Sequence, residues 1–305
     1  MISTIITVNI SEQRELPPSI AAAPTNARRV SGEALIAGHL ASGKMTPAEA
    51  ASAFGKLRFL ASALHGKCGL PALQPLAARE HERRTDLTPA LRSALIWLRQ
   101  LLAAVGPREW PWGAAAPEAV HIFGDASEPS HSGSAKPTIG AILRVPGEAA
   151  PRAFEVVVPA DFIAALPRRQ KLIYYYELVW PAAAVYIWRD ALRGAYPLVY
   201  EDNEGARFNL MSGFSSDPAS SLMLAVFWGA AAVQCSRPWV ARVASGDNPA
   251  DCLTKAGLDR GHLCGARMED PDAFRPFWDL LTRHLTDRSF PSWVQFERLF
   301  APRFQ

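Results

Sequence analysis

Cysteine is scarce in this chain and never paired in sequence. Its four residues, Cys68, Cys235, Cys252 and Cys264, are scattered without a C-x-x-C pair, which argues against a disulfide framework and a zinc site and suits a reducing compartment. His262 and Cys264 stand two apart, with no second pair to complete a tetrahedral set. Long apolar runs are also missing. The longest, Leu222 to Val233, is too short to span a bilayer. The stretch from Ile2 to Ile10 is apolar but broken by Ser, Thr and Asn, and it lacks a basic start, so no secretory signal is read there. Excess charge of one sign is small, a formal +3, which permits a polyanionic partner without demanding one. The expectation is a soluble intracellular protein, cytoplasmic or nuclear, with no membrane association.

The residues that are present make a globular chain. Hydrophobic residues are 49% and charged residues 20% of 305, which excludes general disorder and leaves room for one large domain or two modest ones. Residues 1–30 read as a strand-like stretch from Thr4 to Ile10 followed by a Pro- and Ala-rich linker, extended or partly disordered. From Ser31 the pattern becomes helical. Thr46-Pro47-Ala48-Glu49 has an N-cap, a first-position proline and a capping-box partner, and Thr88-Pro89 repeats the signal. Residues 31–106 are thus expected to form a small all-α unit, and Pro107 to Pro117 a connection.

After Ala119 the period changes to that of strands. Val120 to Phe123, Thr138 to Val145 and Ala153 to Val158 are strand candidates, the last two separated by Pro146-Gly147. A long helix follows over Gln170 to Leu192, then a strand at Leu198 to Tyr200. Asp217-Pro218 announces a buried helix, and Trp239 to Val243 is a last strand. Three consecutive strands followed by alternating helix and strand predict an α/β domain over residues 118–257, a mixed five-stranded sheet flanked by helices. Residues 258–305 are rich in Phe and Trp and read as helices packed on that core.

Four carboxylates stand at suggestive positions in this order. Asp125 and Asp202 each close an apolar strand, with Glu201 beside Asp202 as the alternative for the inward position. Glu177 lies on a helix that is apolar all round, beside Ile173, Tyr174, Trp180 and Pro181, where an uncompensated carboxylate costs several kcal/mol. Asp251 follows Asp247 by four residues, a spacing that puts both on one helical face.

These segments resemble the ribonuclease H domain of retroelement reverse transcriptases. The likeness rests on Gly124-Asp125-Ala126-Ser127 with Ile139-Gly140-Ala141-Ile142, on Glu177-Leu178 with Pro181 and Ala184, on Asp202-Asn203 with Ala206, and on Asn248-Pro249-Ala250-Asp251-Cys252-Leu253-Thr254-Lys255. Upstream, Phe54-Gly55-Lys56-Leu57-Arg58-Phe59-Leu60, Gly66-Lys67-Cys68-Gly69 and Leu73-Gln74-Pro75-Leu76 are similar to the thumb and connection region that precedes ribonuclease H in that family. The resemblance implies a ribonuclease H-like sheet after a thumb-like helical unit. It also implies a metal-dependent hydrolase that cleaves the RNA strand of RNA–DNA hybrids.

The four acids, without histidine or thiolate, imply two Mg²⁺ or Mn²⁺ ions about 4 Å apart. By resemblance Asp125 bridges both ions, Glu177 and Asp202 serve one, and Asp251 serves the other. Ser127 and Asn203 are candidates for contacts to 2′-hydroxyls, and Arg168, Arg169 and Lys171 for phosphates.

The family's Tyr-x-Asp-Asp polymerase motif is absent; Tyr200-Glu201-Asp202-Asn203 is only superficially close. The first forty residues leave no room for a palm domain, so the chain is not expected to polymerise DNA alone, and a palm on another chain is a conceivable partner. The catalytic-loop histidine is missing too, since only Ala244, Ser245 and Gly246 separate Val243 from Asp247. Shortening of this loop predicts slower product release rather than inactivity. The alternatives are a catalytically inactive retroelement relic, a repurposed nucleic-acid-binding or structural domain, and an integrase- or exonuclease-type relative; four intact acids and the helical unit ahead of the sheet favour the nuclease.

Overall fold

The computed structural model describes residues 4–9, 19–111, 118–129, 136–168 and 171–302. Cap chemistry sets the first helices. Helix α1 (Asn26–Ser42) starts where the Thr25 hydroxyl accepts from the Arg28 N–H, and it stops at Gly43, whose φ of 66° favours glycine. Helix α2 (Pro47–Ser62) carries the expected capping box, Thr46 and Glu49 each accepting the other's backbone N–H, with Pro47 in the first turn. A short α3 (Gln74–Arg79) and then α4 (Pro89–Ala104), capped by Thr88, complete the helical region.

One expectation fails here. Ser19–Pro24 is not a linker but β2, the middle strand of a three-stranded antiparallel sheet with β1 (Thr4–Asn9) and β3 (Arg108–Pro111). Alanine and proline are depleted in strands, so the local signal was poor. Pairing of Ser19 with Pro111, far along the chain, makes the strand. Residues 10–18 and 112–117 of the two expected connections lie outside the described residues.

The larger sheet holds β4 (Val120–Ser127), β5 (Thr138–Arg144), β6 (Arg152–Val157), β7 (Pro197–Glu201), β8 (Trp239–Arg242) and a two-residue β9 (Arg267–Met268), in the order β8-β7-β4-β5-β6-β9. Strands β4, β5 and β6 form an antiparallel meander, and β7 runs parallel to β4 and to β8. The sheet is mixed as expected, with six strands instead of five. The extra strand is β9, parallel to β6 and supplied by the tail.

The remaining helices are α5 (Ala160–Ala165), α6 (Ile173–Ile187), α7 (Glu204–Ser212), α8 (Pro218–Val233), α9 (Asp251–Thr254), α10 (Arg275–Thr286) and α11 (Trp293–Phe300). Helix α6 lies on β4 and β5; α8 packs on α6 and also meets α3, α10 and α11. That position explains the apolar run from Leu222, because α8 is covered on all sides. Among the described residues no helix is long and apolar enough to cross a membrane. One continuous apolar cluster joins the first helices, α8, one sheet face and the tail. Trp97 of α4 meets Trp293 and Phe296 edge-on, with ring centroids 5.3 and 5.2 Å apart. Side chains of this size, fully buried, each contribute about 1.5–3 kcal/mol, so the tail aromatics belong to the core.

Candidate metal centre

Strand alternation divides the acids between the two sheet faces. Phe123 pairs with Ile142 and Asp125 with Gly140 across β4 and β5, while Phe123 stands level with Tyr200 of β7. His121, Phe123, Asp125 and Tyr200 therefore share one face, and the Phe123 and Tyr200 rings stack at 4.3 Å. Ile122, Gly124, Val199 and Glu201 share the other face, towards α6. Helix α9 covers the first face over β5 and β6, where Leu253 joins Ile142 and Ala153 in a small apolar cluster. Asp125 thus points to the side that receives Asp251, and Glu201 to the side that receives Glu177. Asp202, the first residue beyond β7, stands at the strand end between them.

Two glycines allow these approaches. A Cβ on Gly124 would fall 2.2 Å from the Trp180 ring, three residues along α6 from Glu177. A Cβ on Gly140 would fall 2.7 Å from Leu253 Cβ and 3.3 Å from the Phe154 carbonyl oxygen. Each glycine admits a helix that carries an acid.

The result is two carboxylate groups that can each hold a metal ion: Asp125, Asp202 and Asp251 form one, and Glu177, Glu201 and Asp202 the other, the ligand oxygens within each lying within 4.8 Å of one another. The outer group has its own donors. Lys255 Nζ is 2.5 Å from Asp251 Oδ2 and 3.9 Å from Asp125 Oδ2. The Thr254 hydroxyl donates to Asp125 Oδ2, and the Ser245 hydroxyl donates to Asp202 Oδ2 over 2.7 Å. Asn248 donates from Nδ2 to the Gly124 carbonyl over 2.9 Å, tying the Asp251 segment to β4.

The inner group is poorer. Glu201 Oε1 accepts the Asn203 N–H over 3.0 Å, but Oε2 of Glu177 and of Glu201 are buried without a hydrogen-bond partner among the described residues.

Electrostatics follow from this packing. Burial pushes the Asp125 carboxyl up to about 6, opposed by the Thr254 hydroxyl and the Lys255 ammonium and reinforced by Asp251 and Asp202. Burial, then the Glu201 and Asp125 charges, hold Glu177 well above the ordinary carboxylate range. Glu201 is raised for the same first reason, with the Asn203 N–H working against it. Asp251 is raised by burial against the pull of Lys255. Burial disfavours the Lys255 ammonium, yet Asp251, Asp125 and Asp202 together hold its pKa above the usual lysine value.

All four expected acids are brought together. Their arrangement differs from the expected one in that Asp202, not Asp125, belongs to both groups. The expected contact residues fare unevenly. Ser127 is buried, with no partner for its hydroxyl among the described residues. Asn203 is half-buried and uses Oδ1 to cap α7 at the Ala206 N–H. Arg168 and Lys171 are exposed. The Glu128 carboxylate accepts the Leu172 N–H over 2.7 Å, holding the residue after Lys171 beside the end of β4. Arg169 lies outside the described residues. Asp247 and Asp251 do not share a helix: Asp247 ends a separate 3₁₀ turn (Ser245–Asp247), because Pro249 follows and cannot donate to a continuing helix.

Sequence reasoning assigned no role to Thr254 or Lys255, which it quoted only within a motif, and it left Glu201 as an alternative to Asp202. The period-two alternation from buried Val199 is the signal that identifies Glu201 as inward. No family model matches the chain, and no curated protein does.

Proposed function

We propose that the chain is a metal-dependent endoribonuclease of ribonuclease H type, derived from a retroelement reverse transcriptase and acting on the RNA strand of RNA–DNA hybrids. The observation that carries this reading is the convergence of Asp125 from within β4, Asp202 from the end of β7, and Glu177 and Asp251 from two helices. The order of acids and elements is the one the sequence resemblance calls for.

The residues fit a hard divalent cation such as Mg²⁺ or Mn²⁺. Every donor is oxygen, and one oxygen each of Glu177, Glu201 and Asp251 is buried without a partner among the described residues. Divalent ions held by such a set supply Lewis acidity to phosphodiester hydrolysis. The chain's own groups do the positioning: Ser245 aims Asp202, Thr254 aims Asp125, and Lys255 fixes Asp251. Exposed Arg168 and Lys171 supply the phosphate contacts in this reading, and Asn203 the contact to a 2′-hydroxyl.

The test uses a labelled RNA–DNA hybrid with purified protein and Mg²⁺ or Mn²⁺. The RNA strand should be cut to 5′-phosphate ends, and Asp125→Asn should abolish turnover while sparing the fold. Absence of cleavage in both metals would sink the enzyme reading. Salt-dependent hybrid binding without cutting would favour a relic that keeps only nucleic-acid affinity.

A further inference from the structure

Glu201 has no place among the four acids that the resemblance assigns, yet it is the most enclosed carboxylate of the centre, 0% exposed. Its neighbour Glu177 is 4% exposed. Two such groups need either protons or a cation. No described donor serves Oε2 of either acid. Instead the oxygens of Glu177, Glu201 and Asp202 lie within 4.8 Å of one another, the span of ligands on opposite sides of a divalent ion with bonds of ~2.1–2.4 Å. The outer group differs, because Lys255 already stands against Asp251 and Asp125.

We infer that Glu201 is a cation ligand, and that Glu177, Glu201 and Asp202 form the tighter divalent-ion subsite of the centre, Lys255 serving as the resident positive charge of the outer group. The inference rests on reading these carboxylates as a cation centre and does not require that the substrate be a hybrid. Its physical content is a difference in competition. An ion entering the inner group displaces no protein cation, whereas one entering between Asp125 and Asp251 must displace or crowd the ammonium.

The probe is Mn²⁺ alone, with free ion followed by electron paramagnetic resonance in the full chain. Wild type should show one tight and one weaker site. Glu201→Gln should weaken the tight site by at least about 10-fold, the lower bound for even an outer-shell partner of a ligand, and Lys255→Met should strengthen the weaker site more than the tight one. Equal tight-site affinity in wild type and Glu201→Gln overturns the inference, as does the absence of any Mn²⁺ binding by wild type.

Should Glu201→Gln fail to fold, Tb³⁺ luminescence decides. The Trp180 indole lies against Glu201, so Trp180→Phe should remove most of the tryptophan-sensitised emission; unchanged emission overturns the assignment. Mn²⁺ binding that depends on Glu201 in a protein that cuts no hybrid keeps this inference and topples the nuclease reading. Cleavage with Mn²⁺ binding indifferent to Glu201 does the reverse.

Discussion

The outer and inner carboxylate groups share Asp202 and are otherwise built on different terms. Around Asp125 and Asp251 stand an ammonium, a threonine hydroxyl and a tethering asparagine. Around Glu177 and Glu201 stand the apolar faces of α6 and β7, with the Asn203 N–H on Glu201 Oε1 and the Trp180 indole beside Glu201, while Oε2 of each acid has no hydrogen-bond partner among the described residues. A polar site can tolerate unpaired charge by supplying counter-charge or by waiting for a ligand to bring it. The two groups divide those solutions between them, and each half can be disturbed separately.

The largest effect should come from the shared residue. Asp202→Asn removes a charge from both groups and is expected to lower the proposed hybrid cleavage by at least about a thousandfold, roughly 4 kcal/mol of transition-state stabilisation, without lowering the melting temperature. Cleavage above a tenth of wild type would show that Asp202 does not link the groups.

Next is the pH dependence of metal-free stability. Asp125 carries a folded pKa of about 6 against 3.8 as its ordinary value, so between these limits the native state holds a proton that the unfolded chain has released. Its stabilising contribution is complete below about pH 4 and is lost as pH rises through about 6, by up to ~3 kcal/mol. Glu177 and Glu201, raised in the same direction, extend the decline to higher pH. Urea midpoints measured in chelator should fall across this range; Asp125→Asn should flatten the lower part and Glu201→Gln the upper. A level profile would contradict the burial of both groups.

The two glycines sharpen the contrast mechanically. Gly124→Ala drives a methyl into the Trp180 ring on the inner side, and Gly140→Ala drives one against Leu253 on the outer side. Each should cost about 1–3 kcal/mol in urea unfolding. Gly124→Ala should cost more, because a rigid indole yields less than the end of a short helix. The reverse order would mean that α9 is held more firmly than α6.

The smallest effect is expected from Lys255→Met without metal. The ammonium is partly exposed, with 37% of its side chain accessible, and solvent screens the pair, so the loss should be about 1 kcal/mol or less and should shrink at high salt. A larger, salt-insensitive loss would place Lys255 among the core determinants.

Helix starts were legible because caps are local. Thr46 with Glu49, Thr88 with Pro89 and Asp217 with Pro218 each use partners within three residues, and all three work as read. Strand positions of the acids were legible for a similar reason, since an apolar run followed by Asp is visible without its neighbours. Less could be read where the partner is remote. The Ser19–Pro24 strand exists only against β1 and β3. Lys255 was visible as part of a motif, but its task depends on α9 settling over Gly140.

The acids themselves show where the boundary lies. Sequence alone determined which acids follow apolar strand runs and which one interrupts an apolar helix, because periodicity and caps act over a few residues, although β4 runs on past Asp125 to Ser127. Tertiary structure decided that Glu201 rather than Asp202 faces α6, that Asp202 serves both groups, and that Lys255 pairs directly with Asp251 and Asp125. Those outcomes depend on which sheet face each helix covers, and that is set by packing between segments far apart in the chain.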